Sequence, residues 1–190
     1  MLTETDEEGD KQRSYIYGNY IDEVLLMIDH TNDDAEYYYA HDHLFSPVSL
    51  MEDDGDVLER YEYDAYGKPY FMDVNFNLLE VQKSAYDNPY GFTGRNIDIL
   101  DNGDLVKQHS RFRDLEYYMG RWFTPDPLGL IPNPPKPNGF TPSDQYNDGM
   151  SLYEYIQCDP ISNVDPWGLI VYNYKKVNAG EYVEPPLSDD

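Results

Sequence analysis

Short tyrosine-rich runs divided by turn signals are the feature that most limits what this chain can fold into. Tyr15-Ile16-Tyr17, Tyr37-Tyr38-Tyr39, Val57-Leu58 and Tyr61-Glu62-Tyr63 are separated by Gly, Asn and Asp clusters such as Asp53-Asp54-Gly55-Asp56, which is a β-hairpin rhythm. The 20 tyrosines point the same way. A tyrosine ring packs on a pleated surface while its hydroxyl reaches water, so a two-faced sheet can carry many of them. Helical pattern is weak, its best candidates being Leu105 to Tyr118 and Ser151 to Ile156. The spacing therefore predicts an all-β, antiparallel protein, and 190 residues suffice for one domain. Residues 1 to 14 are polar and acidic without an apolar period and are expected to be a frayed lead-in. Pro132, Pro134, Pro135, Pro137 and Pro142 remove ladder donors, so the stretch from Ile131 to Tyr146 is expected to be a surface loop.

Charge and residue inventory exclude several functions. With 37 acidic against 13 basic side chains the formal charge is −24, a field that repels phosphate backbones, so nucleic acid is not an expected partner. The acid is spread along the chain and reads as a solvating surface. Cys158 is the single cysteine, which excludes an intrachain disulfide. No run approaches 18 apolar residues, and the first residues lack the basic and apolar regions of a signal peptide, so neither a membrane span nor an export signal is expected. His41 and His43 fall on one face of a strand, an arrangement compatible with zinc, but no third ligand follows at metal-site spacing; no metal or cofactor is expected. The Tyr37 to Tyr39 cluster reads as sheet packing, with a carbohydrate-stacking surface as the alternative.

Ordered motifs carry a more specific signal. Arg60-Tyr-Glu-Tyr63-Asp64-Ala-Tyr-Gly67 is a strand ending in Tyr-Asp followed by a glycine turn. Upstream lie Tyr15-Ile-Tyr-Gly-Asn-Tyr-Ile-Asp-Glu23 and Tyr39-Ala-His-Asp-His-Leu-Phe-Ser-Pro47. Downstream come Phe92-Thr-Gly-Arg95, Gly120-Arg-Trp-Phe-Thr-Pro-Asp-Pro127, Asp148-Gly-Met-Ser-Leu-Tyr-Glu-Tyr155 and Pro160-Ile-Ser-Asn-Val-Asp-Pro-Trp-Gly-Leu169. In order and spacing these resemble the terminal YD repeats and the repeat-associated core of Rhs proteins.

The resemblance implies a strip of antiparallel sheet that in longer relatives spirals into a hollow shell, a core segment that plugs one end, and a variable C-terminal polypeptide, often a toxin, held inside. It divides the chain into an acidic lead-in (1–14), terminal repeat strands (15–85), the core (86–169) and a short variable tail (170–190). It makes upstream YD repeats, or another chain of the family, the expected partners, and a secreted or cell-surface location the expected one. A shell needs many repeats and this sequence holds few, so it reads as a terminal piece or remnant of one. The uncovered strands are expected to leave an exposed sheet edge or face and to self-associate. A tail of 21 residues is too short for a toxin fold. The alternative reading is an adhesive or carbohydrate-binding surface without chemistry.

The resemblance also implies a self-cleaving aspartate pair, Asp126 and Asp165, cutting the Leu169–Ile170 bond once. Two carboxyls held close cannot both ionise, so together they offer an acid and a base. Asp165 precedes the bond by four residues, which makes the reaction intramolecular. The residues alone are equally compatible with Asp-Pro turn chemistry. Arg121 is the expected counter-ion of one carboxylate, or a stack on Trp122. Gly120, Pro160, Pro166 and Gly168 are the expected structural residues, with Gly168 at positive φ and Trp167 anchoring the last turn in the core. Relatives carry Arg-x-Arg-Tyr-Tyr-Asp where this chain has Arg111-Phe-Arg113-Asp114-Leu-Glu116, and Phe45 replaces a small residue before Ser46. No turnover enzyme is expected. Cleavage in the isolated chain is expected to be slight, because nothing in the sequence says that the two carboxyls are held dry without a closed shell.

Overall fold

The computed structural model describes residues 1–103, 105–127, 143, 146 and 149–173. Seven strands form one antiparallel meander in chain order: β1 (Leu2–Thr5), β2 (Lys11–Tyr17), β3 (Val24–Asp29), β4 (Ala35–His41), β5 (Pro47–Met51), β6 (Val57–Tyr63) and β7 (Pro69–Met72). A second sheet has the order β11-β10-β9-β8, from β8 (Ile97–Leu100), β9 (Leu105–Ser110), β10 (Arg113–Glu116) and β11 (Arg121–Trp122). A short pair, β12 (Asn163–Val164) with β13 (Tyr172–Asn173), follows. The all-β, antiparallel expectation holds.

Three of the six meander turns, and the turn that follows β7, share one device. Asp6, Asp42, Asp64 and Asp73 each accept, on Oδ1, the amide two residues on and the amide four residues on, at 2.8–3.1 Å. The side chain thereby mimics a backbone turn. The fourth residue of each turn is left-handed: Gly9 (φ +89°), Phe45 (+65°), Gly67 (+95°) and Phe76 (+65°). Asp64 is the aspartate of the Tyr-Asp repeat motif, so in this chain that aspartate is turn chemistry. Its Tyr63 donates across the sheet to the Pro47 carbonyl at 2.7 Å. Gly67 is additionally required because a Cβ there would meet the Phe92 ring at 2.4 Å.

The tyrosines on one face of the meander are covered by the chain's own residues 84–92. Tyr90 packs edge-on against Tyr15 at 5.2 Å and Tyr39 at 6.3 Å, and Tyr86 lies against Tyr37 at 5.5 Å. Asn88 accepts the Tyr39 hydroxyl at 2.9 Å. Tyr15, Tyr37, Tyr39, Tyr61 and Phe71 are all buried there, each worth about 2 kcal/mol in area removed from water. The expectation of an uncovered face is thus corrected for this side of the sheet. The β7 edge is closed too: the Gln82 side chain accepts from the Phe71 amide and donates to the Phe71 carbonyl, both at 3.1 Å, standing in for a strand. The β1 edge, with Leu2 exposed, is the one that resembles an unfinished sheet.

Three other expectations are corrected. The acidic lead-in is a paired hairpin of β1 and β2, because its acids cluster in the turn Asp6-Glu-Glu-Gly-Asp10 and leave alternating residues to the strands. The helical candidate Leu105 to Tyr118 is the β9–β10 hairpin. Val106, Gln108 and Ser110 are buried while the residues between them face outward, which is a period of two. Ser151 to Ile156 is a turn with one bridge from Glu154 to Arg121, followed by a 3₁₀ turn at Ile156–Cys158. The proline-rich loop at 131–142 lies outside the described residues.

Glu59 on β6 is buried in the tyrosine layer and accepts the Ala85 amide at 2.7 Å. Burial raises its pKa against the opposing pull of that amide. Since the folded state holds this proton more tightly than the unfolded chain, the associated stability is present at acid pH and is lost as pH rises through the folded pKa. Glu59→Gln keeps the acceptor and removes the charge. It is expected to raise Tm at pH 8, with the gain shrinking as the pH is lowered toward 5 in paired thermal melts; a pH-independent difference contradicts the assignment.

Candidate functional site

The last motif forms a tight loop pressed against the tip of the β9–β10 hairpin. Three successive carbonyls of the loop are held by three successive residues of that tip. Arg111 Nη1 donates to the Pro166 carbonyl at 2.5 Å, the Phe112 amide to the Trp167 carbonyl at 3.1 Å, and Arg113 Nε to the Gly168 carbonyl. Gly168 has φ +72°, as expected, and a Cβ there would lie 2.7 Å from the Ser110 carbonyl oxygen. The anchor is not Trp167, which is only half-buried with the Arg111 guanidinium 4.8 Å from its ring. Leu169, 2% exposed, fills that role. Pro160 and Pro166 are buried, and Gly120 (φ +60°) sits against the Tyr66 ring where a Cβ would approach to 2.7 Å.

This loop brings Asp126 and Asp165 to one guanidinium. Arg113 Nη1 lies 3.2 Å from Asp126 Oδ2 and Arg113 Nη2 lies 3.3 Å from Asp165 Oδ2. All three residues are buried. Asp126 reaches this place because its own amide donates to the Leu152 carbonyl at 2.9 Å, next to β11. The other oxygen of Asp165, Oδ1, accepts the amides of Leu169 at 3.0 Å and Ile170 at 3.2 Å. A buried carboxyl is therefore in contact with the nitrogen of the Leu169–Ile170 bond. Burial raises the Asp165 pKa, opposed by Arg113, the two amides and Arg95. The direction is toward a carboxyl that retains its proton more readily than a free aspartate.

Arg121 is not part of this arrangement. It is exposed, with Nη2 3.2 Å from the Met119 sulfur. Arg113 takes both roles expected of Arg121, pairing with the carboxylates and lying 4.3 Å from the Trp122 ring centroid. The signal was present in Arg111-Phe-Arg113: alternate arginines at a hairpin tip project toward the same neighbour. Asp114 and Glu116 serve other ends. Asp114 accepts His109 Nδ1 at 2.8 Å, and Glu116 caps the amides of Tyr118 and Met119 at 3.0 and 2.7 Å. Both site carboxyls are buried within this chain.

The remaining candidates lie elsewhere. His41 ends β4 half-buried, and burial lowers its pKa; His43 Nε2 is 3.0 Å from the Ile161 carbonyl oxygen. Tyr37 and Tyr39, considered for carbohydrate stacking, are buried beneath residues 86–90. Cys158 is exposed.

No family model matches the chain. It is 27% identical over 184 residues to the tRNA3(Ser)-specific nuclease WapA of Bacillus spizizenii, spanning 95% of this chain and 6% of that protein. It is 26% identical over 145 residues to toxin subunit YenC1 of Yersinia entomophaga, 76% of this chain and 12% of the relative. Teneurin-3 of Mus musculus is 29% identical over 147 residues, 76% of this chain and 5% of the relative. The crystal structure of TcdB2-TccC3-TEV superposes with a TM-score of 0.57 at 16% identity, covering 87% of this chain and 7% of that one. The matched part is thus a small fraction of each relative, and the superposition establishes the fold, that of an Rhs shell. Taken with the Tyr-Asp turn at Asp64 and the two Asp-Pro motifs that meet at Arg113, these similarities show that the chain resembles the Rhs/YD-repeat proteins in both sequence and fold.

Proposed function

We propose that this chain is the terminal shell and plug module of an Rhs protein, which encloses or presents a C-terminal polypeptide and severs it once, after Leu169. In this reading residues 15–85 continue the repeat sheet, residues 86–169 are the plug and residues from 170 onward are the released segment. Upstream YD repeats or another family chain are its partners, and its location is secreted or at the cell surface. The observation that carries the reading is the contact of Asp165 Oδ1 with the Ile170 nitrogen at 3.2 Å while Asp126 shares the same arginine.

Asp126 takes a proton from water as the oxygen adds to the Leu169 carbonyl carbon. Once the Leu169 carbon is tetrahedral the Ile170 nitrogen gains a lone pair, and Asp165, protonated and no longer accepting that N–H, delivers its proton there as the C–N bond breaks. The products are a Leu169 carboxylate and an Ile170 amine. Because the bond is four residues from its own acid, positioning supplies much of the acceleration.

Intact mass after incubation at pH 7 tests this. A new N-terminus at Ile170 is expected, and Asp126→Asn and Asp165→Asn are expected to abolish it. Asp126–Pro127, Asp159–Pro160 and Asp165–Pro166 are acid-labile bonds, but their termini fall at the prolines and accelerate in acid. Asp126→Asn should leave the Asp165–Pro166 bond as labile as before. Absence of the Ile170 terminus from the parent, or its persistence in both variants, overturns the cleavage step.

A further inference from the structure

A second charge cluster joins the repeat sheet to the loop that holds the candidate bond. Asp22, in the turn between β2 and β3, is buried. Its Oδ2 lies 3.0 Å from Arg95 Nη2 of the Phe-Thr-Gly-Arg motif, and its Oδ1 accepts Arg111 Nη2 at 2.9 Å. The other head of Arg111, Nη1, is the one that holds the Pro166 carbonyl, and its plane faces the Trp167 ring. One guanidinium thus spans the first repeat hairpin and the Asp165–Leu169 loop. Gly94 makes this approach possible, since a Cβ there would meet the Asp22 carbonyl oxygen at 2.0 Å.

We propose that Asp22 and Arg111 are positioning residues that couple docking of the β2–β3 hairpin to the geometry of the Leu169–Ile170 bond. This is regulation of the site described under the proposed function and rests on that reading for its consequence in cleavage, while the coupling itself stands on the contacts. Arg111 occupies a tight turn with φ +24°, a conformation that L side chains rarely adopt. Its side chain makes three separate contacts from that position. The single Asp22 carboxylate is shared by Arg111 and Arg95; Arg95 is almost fully buried, whereas Arg111 keeps 30% of its side-chain surface exposed. If the hairpin leaves, Arg111 has a route to water and no reason to stay on Pro166. The loop then keeps the Phe112 and Arg113 contacts but loses the Arg111 one, and the Asp165–Ile170 contact loosens. A cut that needs the hairpin in place is a cut made only after the sheet has assembled.

Arg111→Gln tests the coupling in the full chain, because it leaves Arg95 to neutralise Asp22 and so preserves the buried pair. Asp22→Asn is the less useful variant, since it strands Arg95. The primary measurement is amide exchange at Leu169 and Ile170, whose protection reports their bonds to Asp165 independently of any cleavage. Loss of one charge-assisted contact predicts exchange there faster by about 10-fold or more, with β3 to β6 amides unchanged. Arg111→Lys keeps the charge but has one head, and it is expected to behave as Arg111→Gln. Unchanged protection at both amides in Arg111→Gln, or full protection in Arg111→Lys, overturns the coupling. The Ile170 terminus is read in parallel: if the parent forms none, the cleavage reading fails while the exchange result still decides the coupling. If the parent cuts, the two Arg111 variants should cut more slowly, and addition of free guanidinium at millimolar concentration should restore part of the rate where equal sodium chloride does not.

Discussion

Arg113→Leu is expected to destabilise the protein by about 3–5 kcal/mol at pH 7, because it leaves two buried carboxyls without their shared cation. For a chain of this size that corresponds to a Tm lower by roughly 10 °C. Both Asp126 and Asp165 are nearly sealed from solvent. The pH dependence distinguishes this cause from lost packing. Removing Arg113 takes away an influence that lowers the Asp165 pKa, so that pKa rises further in the folded variant. A carboxyl with a raised folded pKa contributes stability at acid pH and loses it as pH rises through that pKa. The deficit of Arg113→Leu should therefore be largest at pH 8 and shrink as pH falls toward 5. Lost contact with the Trp122 ring alone would give a deficit independent of pH. A Tm within about 2 °C of the parent at pH 7 would mean that the ion cluster is not what closes the loop.

Gly168→Ala should have an effect of similar size for a backbone reason. The residue is left-handed, which costs an alanine about 1–2 kcal/mol, and the added methyl would press on the Ser110 carbonyl 2.7 Å away, a backbone atom that cannot swing aside. Together these predict a loss of about 2–5 kcal/mol, measurable by urea unfolding with an unchanged m-value. Gly9→Ala is the control: Gly9 is also left-handed (φ +89°), but nothing lies within 4 Å of its Cβ position, so only the conformational cost applies. Equal losses at the two positions would remove the argument that the loop is wedged against the hairpin tip.

The residue order alone was enough to determine the fold class and the final turn. Short alternating runs bounded by Asp and Gly can bury one face only as paired strands, and Gly168 within Asp-Pro-Trp-Gly-Leu announces a left-handed residue because other residues resist that φ. Two turns were less legible, since Phe45 and Phe76 occupy the left-handed place that glycine normally takes, and it is Asp42 and Asp73 that hold them there. Asp126 and Asp165 could be named as a pair from their motifs. What lies between them could not. Arg113 and Arg121 are both arginines near aromatic residues; the alternation Arg111-Phe-Arg113 hints at the first, but which neighbour that alternation faces is decided by β9 and β10, whose hairpin tip aims Arg113 into the buried site and leaves Arg121 on an outer strand. Likewise, tyrosines 15, 37 and 39 read the same whether a sheet face is open or covered. Only the tertiary structure lays Tyr86, Asn88 and Tyr90 over them, because that contact joins residues far apart in sequence, where no short-range periodicity carries information.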